Sequence, residues 1–360
     1  MTVLLLVLGL IALVAGAEAL VRGASRIALT LGVSPLVVGL TIVAFGTSAP
    51  EAAVSIGAAI EGSSDVAVGN VVGSNIFNVL FILGVSALVR PLVVHAQIIR
   101  QELPVMIGAS ILLVLLVQDG KLQPLEGGLL VTLVILYTTF IVRQSRLETR
   151  STEASFEEVV APRARWDRHW SVQLLLVLGG LVLLVLGSNL LVEAAIDIAR
   201  ALGVSDLVIG LTIVAAGTSL PEVATSIVAA ARGERDIAIG NIIGSNTFNL
   251  LFCLGASSAV SDGGLAVSRP VLDFDLWVML GVAAATVPLF ITGYRLTRPN
   301  GLLLLLSYFA YTTWLVLDAL HHPALEEISD IMMTWVLGGA VVLLVVMMVI
   351  DPNRPGHGRP

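Results

Sequence analysis

The sequence predicts an all-α integral membrane protein of about eleven transmembrane helices, built as two inverted-topology five-helix repeats plus an extra C-terminal helix. Three observations predict it. Of the 360 residues, 57% are hydrophobic and 12% charged, where soluble domains carry about 25% charged residues. Apolar stretches of about 20 residues recur along nearly the whole length, which suits helices crossing a hydrocarbon core of about 30 Å. Finally, the 50 residues Leu36–Val85 recur without a gap as Leu207–Ala256, offset by 171 positions with 32 identities. The alternating strands of about ten residues that a membrane β-barrel needs do not occur.

The elements follow in order. The first span, near 3–21, contains small-residue steps that resemble a signal-peptidase site, but no Lys or Arg precedes it, so the basic n-region is missing. The 171-residue offset also aligns Gly16 with Gly187 and Leu31–Ser34 with Leu202–Ser205; a retained helix is expected. The second span, 36–60, carries Gly46-Thr47-Ser48-Ala49-Pro50-Glu51, and the third, 66–89, carries Gly73-Ser74-Asn75-Ile76-Phe77-Asn78. The fourth and fifth, 103–117 and 125–142, complete the first unit, residues 1–142. The segment 143–170 is polar, mixed in charge and interrupted by Pro162. It reads as a solvated tether, since Glu153, Glu157 and Glu158 are too scattered for a regulatory cation loop. The second unit, 171–320, opens with a span at 172–192. The next two, 207–231 and 237–259, repeat the motifs as Gly217-Thr218-Ser219-Leu220-Pro221-Glu222 and Gly244-Ser245-Asn246-Thr247-Phe248-Asn249. Spans at 274–292 and 300–319 close the unit. Residues 321–360 add a further span near 331–350 and a tail.

Arginine placement gives the orientation. With eleven spans, one side of the membrane receives only Lys121, Arg200 and Arg269, and the other receives sixteen of the nineteen basic residues. The positive-inside rule puts the Arg-rich side in the cytoplasm, with the N-terminus outside and the C-terminus inside. The repeats start five spans apart, an odd number, so the same sequence enters the membrane from opposite sides, an architecture common among secondary transporters.

Each repeat places one acid, Glu51 or Glu222, in apolar sequence. A carboxylate at the bilayer centre costs about 2.5–3.5 kcal/mol on insertion scales, so two at one repeat position point to a cation site. Pro50 and Pro221 lack an N–H and clash with the preceding turn, and Gly46 and Gly217 are weak helix residues. Both spans should break there, which lipid tolerates only where the freed carbonyls line a cavity or bind something. Thr47 and Ser48 lie four and three residues before Glu51 and share its helix face if the turn survives. Ser74 and Asn78 are four apart, as are Ser245 and Asn249. The resulting all-oxygen set suits calcium, which takes six to eight hard oxygen ligands, and also sodium. The absence of Cys and His from this set argues against zinc or copper. Two negative charges balance one divalent or about two monovalent ions, so one site holds either cargo but not both.

Other residues have plainer readings. Gly69/Gly73 and Gly240/Gly244 are helix-packing surfaces. Asp65 and Asp236 sit before spans as N-caps. Asn75 and Asn246 bond backbone, and Glu18 pairs with Arg22. The lone Cys253 packs and excludes an intramolecular disulfide. His321 and His322 fall in a loop, and the five His show no metal spacing. The net charge of −7 argues against nucleic-acid partners.

At the paired motifs the chain resembles the sodium/calcium exchanger family, of prokaryotic type, within the cation/calcium exchanger superfamily. The resemblance covers both 50-residue repeats closely and the five-plus-five plan in outline. It implies that Glu51 and Glu222 are central ligands shared by calcium and sodium and that Thr47 and Thr218 offer backbone carbonyls to calcium. It further implies that Ser48, Ser74, Ser219 and Ser245, with the carbonyls of Ala44 and Ala215, complete sodium sites, and that Asn78 and Asn249 flank the centre. The family moves its first and sixth spans past a fixed core. Some relatives, potassium-dependent members among them, have Asp where this chain has Asn249, which weakens the case for potassium dependence. Ten spans suffice for the family, so the eleventh is extra. The expected activity is sodium/calcium antiport across the plasma (inner) membrane, with no covalent chemistry and no cofactor. The partners are calcium, sodium and the lipid bilayer, with oligomeric state open. A proton/calcium exchanger using the same two Glu is the nearest alternative, then a cation channel. An intramembrane hydrolase lacks a nucleophile–base pair.

Overall fold

The computed structural model describes residues 2–151, 169–202 and 215–320. The eleventh span, His321, His322, the three linker glutamates and residues 203–214 of the approach to the seventh span lie outside the described residues. Among the described residues, eight helices are long and apolar enough to cross a membrane, or nine if the bent pair Pro35–Thr47 and Ala49–Ile60 counts as one span. These match the first six expected spans and the eighth to tenth; the seventh is represented by its later part.

One closely packed pair is formed by α1 (Thr2–Leu31) and α9 (Trp170–Ala201). They run antiparallel in contact along nearly their whole length because glycines remove the side chains between them. A Cβ on Gly16 would lie 2.8 Å from the Gly180 carbonyl, and one on Gly9 would lie 2.9 Å from that of Gly187. Since Gly9 and Gly16 are the repeat equivalents of Gly180 and Gly187, each helix presents the same face to the other. Thr30 Oγ1 adds a 3.0 Å hydrogen bond to Gln173 Oε1 at one end.

The second span begins with α2 (Pro35–Val38), where the Ser34 hydroxyl caps the Val37 N–H. It continues through a π-turn at Gly39–Val43 into α3 (Ala44–Thr47), then bends by 47° into α4 (Ala49–Ile60). The third span is α5 (Ser64–Phe77), a π-turn at Asn78–Ile82 and α6 (Leu83–Val89). Helices α7 (Leu103–Leu116) and α8 (Pro124–Ser151) complete the first unit. The second unit repeats the order: α10 (Ala215–Gly217), α11 (Leu220–Arg232), α12 (Arg235–Phe248), a π-turn at Asn249–Cys253, α13 (Leu254–Val260), α14 (Leu276–Ile291) and α15 (Arg298–Ala319).

The third and eighth spans form the core. Burial covers 78% and 94% of their apolar windows, against 28% for α1 and α9. The core is laced by backbone contact: α12 lies against the second span so closely that a Cβ on Gly240 or Gly244 would come within 2.8 Å of Leu36 or Leu40. The expected packing role of Gly240 and Gly244 therefore holds. The partners expected for Gly69 and Gly73 by the same repeat rule fall in 207–214, outside the described residues.

Two short ladders, unexpected from the sequence, tie loops together. β1 (Leu92–Val93) pairs antiparallel with β4 (Arg295–Leu296), and β2 (Lys121–Leu122) pairs with β3 (Leu265–Ala266). The loops after the third and ninth spans thus share one side, and those after the fourth and eighth share another. A second duplicated feature lies outside the 50-residue repeat. The Tyr137 hydroxyl bonds the buried Glu102 carboxylate, tying α8 to the π-turn that leads into α7. Tyr311 likewise donates to Asp275 at 2.9 Å, tying α15 to the π-turn before α14.

One expectation needs correction. Asp65 and Asp236 lie inside the first turns of α5 and α12, whose N-cap residues are Ser63 and Glu234. As first-turn acids they sit near the positive helix end, and Asp236 pairs with His95 at 3.3 Å. Glu18 also forms an ion pair with Arg232 of α11, a partner 214 residues away that spacing within α1 does not reveal.

Candidate functional site

The site forms where the two broken spans meet the two core spans. Pro50 and Pro221 stand in the first turns of α4 and α11, and the residues before those turns leave helical geometry in the same way. Ser48 has φ −83°, ψ 7° and Ser219 has φ −88°, ψ 5°. The turn that would have kept Thr47, Ser48 and Glu51 on one continuous helix face is therefore opened at Ser48. Pro221 has no N–H for the Gly217 carbonyl, which instead accepts the Ser188 hydroxyl of α9 at 2.7 Å. Glu51 and Glu222 each fall in the first turn after the break, where the helix N-terminus favours negative charge.

The breaks cross-link the repeats. Ser48 Oγ donates to Glu222 Oε1 at 2.8 Å, and Ser219 Oγ donates to Glu51 Oε1 at 2.7 Å. Ser219 Oγ also lies 3.3 Å from Ser74 Oγ. Each half thus supplies the hydroxyl for the other half's acid. Glu51, Glu222, Thr47, Ser48, Ser219, Ser74, Ser245, Asn78 and Asn249 are all at most 4% exposed; Thr218 is half-buried. The second carboxylate oxygens, Glu51 Oε2 and Glu222 Oε2, are buried without a hydrogen-bond partner, as are Asn78 Oδ1 and Ser245 Oγ. Buried acceptors seldom remain unsatisfied; these four oxygens, all on the repeated motifs, are free to accept a further partner. Among the described residues no group of three or more His, Cys, Asp or Glu converges, so any cation held here takes its remaining ligands from neutral oxygens.

The core spans place the amides. Each π-turn begins at the motif asparagine, Asn78 or Asn249; π-turns inside helices concentrate at functional sites. Asn78 Nδ2 crosses to Asn246 Oδ1 at 2.9 Å. Asn75 Nδ2 bonds the Val71 carbonyl at 2.8 Å, and Asn246 Nδ2 approaches the Asn75 carbonyl at 3.4 Å, in line with the backbone-bonding expectation for this pair. Asn249 Oδ1 accepts the Cys253 thiol at 3.4 Å, so Cys253 contacts the site's edge as well as packing.

The sequence reading passed over Asn70 and Asn241, with Ser55 and Ser226. Asn241 accepts the Thr47 hydroxyl at 3.0 Å and donates to Ser226 Oγ at 3.0 Å. Asn70 accepts Thr218 at 3.4 Å and donates to Ser55 Oγ at 2.9 Å and to the Glu51 carbonyl at 3.2 Å. Both asparagines therefore brace the threonine of the opposite repeat. The available signal was their identity in both copies, one position after Gly69 and Gly240.

Comparison with known proteins gives the family. A family model described as sodium/calcium exchanger protein matches residues 1–143 and 172–317. The chain belongs to the sodium/calcium exchanger family. It is 34% identical over 339 residues to the sodium/calcium exchanger MaX1 of Methanosarcina acetivorans, covering 86% of this chain and 96% of that protein. It is 40% identical over 309 residues to the putative antiporter CaxA of Alkalimonas amylolytica, covering 84% and 95%. It is 39% identical over 285 residues to the inner membrane protein YrbG of Escherichia coli, covering 78% and 86%. Among solved structures, the sodium-calcium exchanger NCX_Mj superposes with a TM-score of 0.72 at 30% identity, covering 84% of this chain and 95% of that one. This exchanger is thus an α-helical, multi-pass membrane transporter of the cation antiport class.

Proposed function

We propose that this exchanger couples sodium to calcium by alternating access, with both ions bound in turn at the site shared by Glu51 and Glu222. The single observation that carries the reading is the reciprocal bonding of Ser48 to Glu222 and of Ser219 to Glu51, beside the unpartnered buried oxygens of both acids. In this arrangement each hydroxyl donates to a carboxylate; a hydroxyl can also turn its lone pairs to a cation. Calcium recruits both acids and neutralises both charges. Sodium ions, bearing half the charge, divide the same oxygens between them: Ser48, Ser74, Ser219 and Ser245, with the carbonyls of Ala44 and Ala215. Thr47 and Thr218 offer carbonyls to calcium, held in place through Asn241 and Asn70, and Asn78 and Asn249 bound the centre.

The units are assigned as 1–142 and 171–320, inverted relative to each other, with a cytoplasmic linker at 143–170 and an extra helix in 321–360. The loop pairings β1–β4 and β2–β3 support the alternation of sides that this topology requires. Arginine placement supports an inner-membrane orientation with the N-terminus outside.

The test is calcium-45 uptake into proteoliposomes under imposed sodium, potassium or proton gradients. Uptake driven by outward-directed sodium and indifferent to the others is expected. A proton/calcium exchanger is the second reading, favoured by the free oxygen on each buried carboxylate, which could carry a proton. Uptake driven by a pH gradient without sodium would select it.

A further inference from the structure

The two sides of this transporter are not equivalent, although its repeats nearly are. On one side of the site, Phe45 packs edge-on against Phe248, their ring centroids 4.8 Å apart, and Phe252 stacks on Phe248. A recess of about 960 Å³ there, running out past Trp170 and Leu31, is lined almost wholly by apolar side chains and offers a cation no polar path. The repeat equivalent of Phe45 is Ala216. On the opposite side, a cavity of about 700 Å³ runs from Asp197 and Arg200 of α9, past Glu193 and Asn189, to Pro50, Gly217 and Thr218 at the two breaks. The Phe45 side is therefore closed to ions in the sense that its recess carries no polar approach to the breaks, whereas the opposite cavity is edged by Asn189, Glu193, Asp197 and Arg200.

The Glu18–Arg232 ion pair stands on the closed side. Arg232 ends α11 immediately before Gly233, which lies against Arg90. Asp236 meets His95 in the same region, where β1 and β4 pair. The ion pair joins α1, half of the glycine-packed α1–α9 unit, to a core helix. The 171-residue offset maps Glu18 to Asn189 and Arg232 to Glu61. Asn189 lines the polar cavity, and Glu61 is exposed at the end of α4. Closing that side by the mirror-image movement would bring together Asn189 and Glu61, an amide and an acid where the first side has an acid and a cation.

We propose that Glu18 and Arg232 form a one-sided ionic latch that favours the conformation closed on the Phe45 side, so that the two access states of this exchanger differ in energy at rest. The inference rests on the alternating-access reading above. Arg232 and Glu18 side chains are 48% and 37% exposed, so the latch is a bias and not a lock. Exposed pairs shift an equilibrium by up to roughly fivefold.

The test uses full-length protein in detergent, with single reporter cysteines at Val192 and at its repeat equivalent Val21. Val192 lines the polar cavity, whereas Val21 is buried on the closed side. The ratio of their maleimide labelling rates, corrected for the parent carrying only buried Cys253, reads the balance of the two states. Glu18→Gln and Arg232→Gln are each expected to lower the ratio roughly threefold in protein that remains monodisperse. Asn189→Arg is expected to lower it as well, by supplying the missing cation opposite Glu61, and only while Glu61 is intact. An unchanged ratio in both Gln variants overturns the latch. An Asn189→Arg effect that persists with Glu61→Gln shows simple obstruction and overturns the symmetry argument. Labelling does not depend on which cations are carried, so failure of sodium coupling and failure of the latch are separately visible.

Discussion

Replacing Glu222 with Gln tests the charge logic of the site most directly. The side chain keeps its size, and Gln can still accept the Ser48 hydroxyl that now sits 2.8 Å from Oε1. What is lost is one of the two carboxylates that the described residues supply to an enclosure where neither acid is more than 1% exposed. A calcium ion then enters with one positive charge uncompensated. Leaving a buried charge without its partner costs about 3–5 kcal/mol, which at about 1.4 kcal/mol per tenfold weakens calcium binding roughly 150- to 5,000-fold. A single sodium ion is still neutralised by Glu51 and loses only one strong ligand contact, expected to be roughly tenfold or less. The assay is calcium-45 binding to purified protein with sodium competition, run for Glu222→Gln and Glu51→Gln. Calcium affinity should fall by orders of magnitude while sodium competition persists, and the two variants should behave alike. Equal loss for both ions would refute the argument, because it would mean that shape, and not charge, was disturbed. Retained calcium exchange at the parental rate would remove the acids from the site altogether.

Further outcomes follow from the same geometry. Ser48→Ala and Ser219→Ala each delete a hydroxyl on a buried carboxylate, at 2.8 and 2.7 Å. Such bonds to charged groups contribute about 1.5–3 kcal/mol, so both should raise the sodium concentration for half-maximal exchange, and by factors within roughly twofold of each other; a tenfold disparity would deny their reciprocity. The neighbouring glycines of α9 should separate cleanly in thermal unfolding. Gly180→Ala drives a methyl to 2.7 Å from the Leu20 nitrogen, whereas Gly179→Ala meets nothing within 4 Å. The first should destabilise by about 1–3 kcal/mol and the second stabilise slightly through helix propensity, so a lowered midpoint in both would contradict the packing described.

The residues of the candidate site were legible because lipid makes their cost visible. An acid, a proline and a glycine close together in an apolar span have few other uses, and duplication fixed the spacing. Much of the bracing was hidden for definite reasons. Asn70 and Asn241 lie on different spans from the threonines they hold, so no periodicity within one helix exposes them. The π-turns at Asn78 and Asn249 add one residue to a helical turn without any proline or glycine inside them to announce it. The acid–tyrosine pairs were missed because the strict offset ends with the 50-residue repeat. Tyr137 and Tyr311 are 174 positions apart and Glu102 and Asp275 are 173 apart, and the acid changes type. Glu18 shows the limit of local reasoning most plainly: its ion pair with Arg232 of α11 arises from tertiary packing, which no spacing within α1 reveals.

The exchange of hydroxyls between the two acids has the contact pattern of a homodimer interface. In a two-fold assembly residue i meets j and j meets i, and Ser48 with Glu222 and Ser219 with Glu51 obey that rule across a single chain. Neither half alone contains a complete acid–hydroxyl pair, since each acid takes its hydroxyl from the other copy. The differences that remain, Asn189 for Glu18 and Ala216 for Phe45, are where one self-complementary surface has become two surfaces with different tasks.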